Sequence, residues 1–380
     1  MVPGPRWASM GSCLTTAMLI AVGWTTPALQ GEPPSVVVRP APRLTLPGIV
    51  VAKDAEPKSD GDVDCNSPAH WDGDTLFMFY SLGHPYRSSG PNMAGLSRPS
   101  VRTAYDNERE WREVKRQGER WIEATWKAPD GRLYMWYHNE PHPICGSATL
   151  TAPRIGTMVS TDNGLNWKDL GLILEAPADS LNCDTVNTYF AGGNGDFSVI
   201  PDARDEYLYF FISTYNKDVA EQGVAVARMK ASDRDDPRGK VFKWHHGQWS
   251  EPGLGGHVSP IYPVTADWHK STVDAFWGPS IHWNTHLNRW VILLNRAVNK
   301  DWGQEGIYVS LNPDLAKPGG WSKPLKILDA KELEKSKWYP QVVGIDASRK
   351  ETDKLAGRVA RLFVAGQSKW EIVFLKPGEK

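Results

Sequence analysis

The sequence feature that most constrains the fold is a pattern repeated five times along the chain. Each copy begins with a short segment containing Gly, Pro or an acid, passes through a turn and enters a run of β-branched and aromatic residues, which is typical of a β-hairpin. One apolar position marks the second strand of each copy, and successive copies are 57, 75, 83 and 71 residues apart: Leu76, Leu133, Leu208, Val291 and Leu362. An average spacing of about 72 residues predicts five structural units.

Further strand candidates follow most of these hairpins. A third strand is predicted at 155–159, 223–227 and 306–309, and a fourth at 170–174 and 325–328. Each unit is therefore expected to be a four-stranded meander, which cannot bury both of its faces alone. Radial packing buries these faces and protects the strand edges. We predict an all-β fold, a five-bladed β-propeller of four-stranded antiparallel blades. The alternative, a β-sandwich, would need no repeat of this period.

Charge and composition narrow the class of protein. Lys and Arg number 43 against 44 Asp and Glu, and this balance argues against a nucleic-acid or membrane-surface protein. The 18 Trp and 12 Tyr residues, with 34 Gly and 29 Pro, suit a β scaffold that stacks sugars or other flat ligands. Dense charge at 105–117 and 330–337 predicts solvated loops or short surface helices. We expect a monomer that binds a carbohydrate and no nucleic acid.

The first thirty residues resemble a secretory signal. Arg6 precedes an apolar run at 14–22, and small residues follow at 25–28. The run is too short to span a bilayer. We therefore predict a signal peptide at 1–30, a single propeller domain at 31–380, no membrane span, and a secreted or periplasmic location. A disordered N-terminus is the alternative.

The cysteines are consistent with an oxidising compartment. Cys13 would leave with the signal peptide, so Cys65, Cys145 and Cys183 remain, enough for one disulfide and one free thiol. Cys145 and Cys183 fall in loops predicted on the same face, which makes them one candidate pair, although the sequence leaves the pairing open. No C-x-x-C spacing indicates a zinc site.

Acidic residues gather where the inner strands of the predicted blades begin. In a four-stranded blade, that point and the loop after the second strand lie on the same face. Carboxyl groups near one axis can cleave a glycosidic bond, because one protonates the leaving oxygen while another activates water or attacks the anomeric carbon. The candidate catalytic residues are Asp64, Glu123 and Asp196. A turn or cap role is the alternative for Asp196, whereas strand alternation offers Glu123 no such role.

Polar and aromatic residues in the same regions are candidates for substrate binding. They are Asn66, His84, Arg87, His138, Glu140, Tyr215, Asp274, Trp277, Arg296 and Trp302. His84, His138 and His142 could bind a metal with Glu140, but their spacing matches no known rule, and structural or sugar-binding roles are preferred. No cofactor is required, and a structural Ca²⁺ ion in the polar channel is compatible with this architecture.

The five-unit pattern, the strand starts and the Trp- and Tyr-rich hairpins resemble the five-bladed propeller glycoside hydrolases of families 43, 62 and 32. These families include arabinanases, arabinofuranosidases, xylosidases and invertases, and the resemblance covers most of the mature chain. It implies a hydrolase that acts on arabinofuranosyl, xylosyl or fructosyl linkages of a plant- or microbial-type polysaccharide or oligosaccharide.

Two diagnostic positions differ from the pattern of these families. Ser67 stands where they place an Asp before Pro, with Asp64 the nearest substitute, and Trp277 replaces the Glu of the Glu-Gly-Pro motif. We therefore expect a diverged member with Asp64 and Glu123 as the acid pair and Asp196 as an orienting residue or pKa modulator.

A second resemblance concerns one turn. Residues Ser160 to Trp167 fit the Asp-box, Ser-x-Asp-x-Gly-x-x-Trp, a structural hairpin found in sialidases and other propellers. Sialidases also have an Arg-Ile-Pro motif, which Arg154-Ile155-Gly156 breaks. Two alternatives therefore remain: a sialidase-like exo-glycosidase, and a non-catalytic glycan-binding propeller, which Trp277 favours.

Overall fold

The structure is a computed structural model that describes residues 33–47, 63–97, 100–114, 117–333 and 338–380. The predicted signal peptide at 1–30 therefore lies outside the described residues. Within them, the helical elements are α1 (Glu108–Glu113) and six 3₁₀ turns: Met93–Gly95, Val219–Glu221, Ala231–Asp233, Pro318–Gly320, Ala330–Glu332 and Ala347–Arg349. None of the helices in this part of the chain is long and apolar enough to cross a membrane.

Strands dominate the rest of the described chain and form five sheets. The first strand, β1, spans Ser35–Thr45. Blade 1 consists of β2 (Ala69–Asp72), β3 (Thr75–Ser81), β4 (Pro85–Gly90) and β5 (Val101–Arg102). Blade 2 consists of β6 (Ala104–Tyr105), β7 (Arg120–Lys127), β8 (Leu133–Asn139), β9 (Arg154–Ser160) and β10 (Asn166–Leu174).

The remaining strands make three further blades. Blade 3 consists of β11 (Asn194–Pro201), β12 (Tyr207–Thr214), β13 (Gly223–Lys230), β14 (Phe242–His245), β15 (Gln248–Pro252) and β16 (Tyr262–Pro263). Blade 4 consists of β17 (Ala275–Asn284), β18 (Arg289–Ala297), β19 (Gln304–Asn312) and β20 (Leu325–Asp329). Blade 5 contains β21 (Pro340–Gly344), β23 (Val359–Val364) and β24 (Gln367–Leu375), while β22 (Leu355–Ala356) pairs with β17.

The innermost strands of blades 2 to 5 contact one another in chain order, and β2 contacts β7. Hydrogen bonds close the circle between blades 5 and 1, where Gln341 accepts from the amide N–H of Ser67 and Asp353 from that of Ala69. The fold is therefore the predicted five-bladed β-propeller. Four antiparallel strands form the body of each blade, as the hairpin pattern indicated.

Hydrophobic packing between neighbouring blades holds this ring together. Five clusters of buried apolar side chains occupy the five interfaces. Phe79 of blade 1 packs with Tyr137 of blade 2 in one cluster, and Val291 of blade 4 packs with Leu362 of blade 5 in another. Each blade thus buries both faces, which an isolated meander could not do.

The outer strand of blade 5 comes from the opposite end of the chain. β1 pairs antiparallel with β24, with Ser35 opposite Leu375 and Thr45 opposite Gln367. This strand was not predicted from the sequence. Its sequence contains Pro40 and Pro42, which fit an edge strand because only one side of such a strand needs backbone donors.

The Asp-box forms the turn between β9 and β10, as predicted. The hydroxyl of Ser160 accepts the amide N–H of Gly164, and Oδ1 of Asp162 accepts those of Leu165 and Asn166. Arg87 of blade 1 donates to the carbonyl of Asp162. The turn therefore has a structural role between blades 1 and 2, and it holds Arg87 away from the strand starts.

Candidate active site

Three inner strands are interrupted by β-bulges at equivalent positions near their starts. The register shifts at Glu123 in β7, at Asp196 in β11 and around Gly278 in β17. Asp196 has φ +40°, a conformation rare for residues other than glycine. Because a bulge redirects a side chain from the normal strand alternation, two buried acids are placed at the centre of the ring.

Asp196 is held by two tyrosines. Tyr215 donates its hydroxyl to Oδ2 at 2.5 Å, and Tyr339 donates to Oδ1 at 3.0 Å. Burial raises the pKa values of both tyrosines well above 10, so both hydroxyls keep the protons that they donate. Burial also raises the pKa of Asp196 itself, and the two hydroxyls act in the opposite direction. The carboxyl group is therefore fixed in direction while burial favours its protonated form.

Glu123 is as buried as Asp196, at 2% exposure. Its Oε2 accepts the amide N–H of Asn66 at 2.9 Å, while its buried Oε1 has no hydrogen-bond partner. The Asn66 side chain donates to the carbonyls of Phe197 and Pro279, in blades 3 and 4. Burial raises the pKa of Glu123 to about 7, and the nearby Asp196 adds to this effect. Through its backbone amide and its side chain, Asn66 is thus hydrogen-bonded to blades 2, 3 and 4.

His138 lies among three carboxyl groups. Its Nδ1 is 3.8 Å from Glu123 and 3.7 Å from Asp196, and its Nε2 is 3.3 Å from Oε1 of Glu140. The amide N–H of Asp196 points at Nδ1 at 3.2 Å. Burial lowers the pKa of His138, but the carboxyl groups of Glu123 and Glu140 raise it and prevail. Because the amide opposes a proton on Nδ1, Nε2 carries a proton in both the neutral and the charged ring.

A pocket of about 160 Å³ opens above these residues. Every blade contributes a side chain to its lining: Asp64 and Glu140 from blades 1 and 2, Asp196 from blade 3, Trp277 from blade 4 and Tyr339 from blade 5. The pocket therefore lies on the ring axis. Asp64 is exposed within it, whereas Glu123 is not part of the lining.

Aromatic side chains form the walls of this pocket. Trp302 packs against Trp277 with ring centres 4.7 Å apart and stacks on Trp268 at 4.5 Å. Trp277 and Trp302 are each only 2% exposed, so they support the wall more than they offer a free face. Tyr189, at 48% exposure, and the half-buried Trp338 present the accessible aromatic surface of the rim.

The wall that carries Tyr189 and Phe190 is tied to two neighbouring loops. A disulfide joins Cys145, in the loop after β8, to Cys183, in the segment before β11, and Cys65 is buried and free. This confirms the candidate pairing. His269 links the same segment to blade 3, because its ring contacts the Thr185 hydroxyl and the Tyr215 carbonyl.

Four of the candidate binding residues lie outside this pocket. His84 lines a larger cavity of about 350 Å³ between blades 1 and 2, where its ring contacts the Thr103 carbonyl. Arg87 is held at the Asp-box turn. Asp274 and Arg296 form a two-pronged ion pair with each other, at 2.7 and 2.9 Å.

The other candidates are near the pocket. Asp64, Glu140, Asp196, Trp277 and Trp302 line it, and Asn66, Glu123, His138 and Tyr215 lie directly behind it. Sequence reasoning did not single out Tyr189, Phe190 or Trp338, which lie in irregular segments without strand alternation.

Glu123, His138 and Asp196 are the group most able to hold a metal among the described residues, because one ligand atom of each lies within 4.8 Å of the others. The donor set does not fit Ca²⁺, which prefers about six to eight oxygen ligands. Both Asp196 oxygens already accept tyrosine hydroxyls, and Nδ1 of His138 faces an amide N–H. Of the carboxyl oxygens in this group, only Oε1 of Glu123 has no hydrogen-bond partner, which is too few for that ion.

Solved structures share this architecture. An exo-1,5-α-L-arabinanase from a bovine ruminal metagenomic library matches with a TM-score of 0.51 at 11% identity, covering 82% of this chain and 92% of that chain. The likeness is one of fold. The arabinanase of Bacillus subtilis matches with a TM-score of 0.47 at 14% identity, covering 83% and 94%. The catalytic domain of a GH62 α-L-arabinofuranosidase from Coprinopsis cinerea matches at 0.46 and 9%, covering 91% and 98%.

No protein-family profile matches the sequence, and no curated protein does. Among the described residues that line the axial pocket, three are acids, the other six are aromatic, and none is Arg or Lys. Such a pocket can donate and accept protons around a ligand that carries no negative charge.

Proposed function

We propose that this propeller is a glycoside hydrolase whose carboxyl groups in the axial pocket act as general acid and general base or nucleophile. The observation that carries the proposal is the convergence of Asp64, Glu140 and Asp196, from three blades, on one aromatic-walled pocket. Glycosidic cleavage requires two carboxyl groups on either side of one bond, and aromatic faces bind sugar rings.

Asp196 is the proposed acid, because burial raises its pKa and so favours the protonated form that a proton donor needs. An ionised partner is supplied by Asp64 or Glu140. Glu123 was expected to be one of the acid pair. Its position behind the lining supports a different role, in which it sets the charge on His138 and Asp196 without touching the substrate.

The pocket supports a neutral sugar as substrate. Its acidic lining disfavours the carboxylate of a sialic acid, so the sialidase alternative has less support. We propose arabinofuranosyl, xylosyl or fructosyl linkages, and the fold is shared with proteins named arabinanase and arabinofuranosidase. At about 160 Å³ the pocket is smaller than the roughly 300–1,000 Å³ of many ligand sites. We therefore propose the release of one terminal sugar at a time.

We also propose that the protein acts outside the cytoplasm. The disulfide between Cys145 and Cys183 supports this, because such bonds persist in oxidising compartments. The mass of the protein recovered from the culture fluid or periplasm of its host would test the proposal. A mature chain that begins near Gly31 supports export, and an intact N-terminus in the cytoplasm contradicts it.

The function is tested by product release from arabinan, arabinoxylan and fructan. Asp196→Asn is expected to lose turnover by at least about 100-fold, whereas the matched control Asp184→Asn, an exposed acid outside the pocket, should behave as wild type. Monosaccharide as the first product supports terminal attack. Binding of a glycan without any cleavage would replace the hydrolase by the glycan-binding alternative.

A further inference from the structure

The chain offers two candidates for the ionised partner of Asp196. Asp64 lines the pocket as an exposed residue. Glu140 is three-quarters buried, and its Oε1 lies 3.3 Å from Nε2 of His138. A positioned carboxyl group is the better catalyst, because orientation is fixed before the substrate arrives.

The backbone of Glu140 is fixed from two sides. Its carbonyl packs against Gly118, where an added Cβ would lie only 1.8 Å from the oxygen. The same carbonyl accepts a hydrogen bond from the ring of His142. The next residue, Pro141, is held through its own carbonyl by the hydroxyl of Thr151. Little freedom remains apart from rotation of the Glu140 side chain.

The ring of His138 presents a proton to this side chain. The Asp196 amide faces Nδ1, so Nε2 carries a proton and points towards Glu140. Nε2 is buried, and at 3.3 Å its N–H is not aligned for a complete hydrogen bond. Catalytic hydrogen bonds are often long in a free enzyme and shorten when substrate binds. A small rotation of Glu140 would complete this one.

We propose that Glu140 is the ionised catalytic carboxylate that acts with Asp196, and that His138 is the residue that positions it. This inference rests on the proposed function. One oxygen of Glu140 accepts from Nε2 of His138, which leaves the other oxygen free for a water molecule. Glu123 lies on the far side of the imidazole and completes a chain from the buried interior to the pocket.

The reaction balances with these two carboxyl groups. Glu140 takes a proton from the attacking water, whose oxygen bonds to the anomeric carbon. The bond from that carbon to the leaving oxygen breaks, and Asp196 transfers its proton to the leaving oxygen. One water is consumed for each bond cleaved, and the proton gained by Glu140 returns to Asp196 through solvent.

The first test compares carboxylate substitutions on a glycan that the wild type cleaves. Glu140→Gln is expected to lower kcat by about 1,000-fold with KM little changed, within the range for a general acid or base. The exposed Glu119→Gln is the matched control and should retain full activity. If Glu140→Gln stays within about tenfold of wild type while Asp64→Asn abolishes turnover, Asp64 is the partner and the inference is wrong.

The second test separates positioning from structural support at His138. His138→Gln keeps an N–H donor near the position of Nε2 and should retain activity within about tenfold. His138→Ala removes the donor, so kcat should fall by about 100-fold with KM little changed, because the Glu140 carboxyl group is no longer held in place. Equal losses of activity in the two variants would contradict a positioning role.

A third measurement does not depend on activity. Nitrogen-15 spectra of the full-length protein should show a proton on Nε2 of His138, and Glu140→Gln should shift that signal. A proton on Nδ1 alone would overturn the inference. Absence of turnover on every glycan would instead remove the proposed function and with it the catalytic role, whatever the spectra show.

Discussion

Tyr215 donates its hydroxyl to Oδ2 of Asp196 at 2.5 Å, from the residue that directly follows strand β12. The tyrosine ring packs against Phe190 and Trp268, with ring centres 4.3 and 5.3 Å away. The direction of the carboxyl group therefore depends on a side chain that is itself fixed by the aromatic wall of the pocket.

Tyr215→Phe removes this donor and keeps the ring packing. The Asp196 carboxylate loses a stabilising hydrogen bond, so the pKa of the proposed acid should rise further. We expect kcat/KM to fall about tenfold and the basic limb of the pH profile to move to higher pH. Tyr308→Phe, whose hydroxyl contacts Arg296 and Glu305 outside the pocket, is the control. An unchanged basic limb would argue against Asp196 as the acid.

Gly118→Ala should lower both the stability of the protein and the activity of the pocket. Gly118 has φ +73°, and an added Cβ would meet the Glu140 carbonyl at 1.8 Å. Gly131→Ala is the matched control, because Gly131 has φ +86° with nothing within 4 Å. Both variants should lose about 1–2 kcal/mol of unfolding free energy from the left-handed backbone, and Gly118→Ala should lose more because the backbone at Glu140 must also move. Kinetic assays should show a loss of about 100-fold for Gly118→Ala alone, and equal activities would contradict the prediction.

The disulfide should contribute measurably to stability. Cys145 and Cys183 are 38 residues apart, and a crosslink over such a loop contributes about 4 kcal/mol in the chain-entropy model. The double variant Cys145→Ser/Cys183→Ser should unfold at lower urea concentration. Reductant should destabilise the wild type and leave the double variant unaffected. Because the bond holds the segment of Tyr189 and Phe190, KM should rise as well.

His282 makes a pH-dependent contribution in the core between blades 4 and 5. Both of its ring nitrogens are buried without a hydrogen-bond partner, and burial lowers its pKa to about 3 from 6.5. Between these two pH values the unfolded chain binds a proton here that the folded chain does not, so stability falls as the pH falls.

His282→Leu should therefore stabilise the protein. We expect a gain of about 1 kcal/mol or more at pH 7.5, from removing unpaired polar atoms. A further gain of about 2 kcal/mol is expected at pH 5, because protonation no longer opposes folding. Urea unfolding at the two pH values measures both. A gain that is equal at pH 5 and pH 7.5 would show that the histidine does not titrate in this way.

The hairpins were predictable because their signals are local. Runs such as 207–211 and 290–294 are continuous in sequence, and their spacing alone indicated five blades. Glu123 was noticeable because it interrupts an apolar strand pattern. The structure shows the reason, since a bulge directs it to the centre of the ring.

Other features depend on partners far away in the sequence. Asp274 was predicted to bind substrate, but its carboxyl group forms an ion pair with Arg296 of the next strand. His84 was predicted to lie near the pocket, but its ring contacts the carbonyl of Thr103 and lines a different cavity. The exposure of Tyr189 depends on the path of an irregular segment, which no periodicity reveals.

The pairing of β1 with β24 has a consequence for the order of folding. Ser35 and Leu375 are opposite one another although 340 residues separate them, so blade 5 cannot be completed until β24 is available to pair with β1. Contacts between such distant residues form slowly, because a long loop must be closed before they are gained. A chain emerging from the ribosome can assemble its blades in succession, but the finished molecule must wait for its last strand.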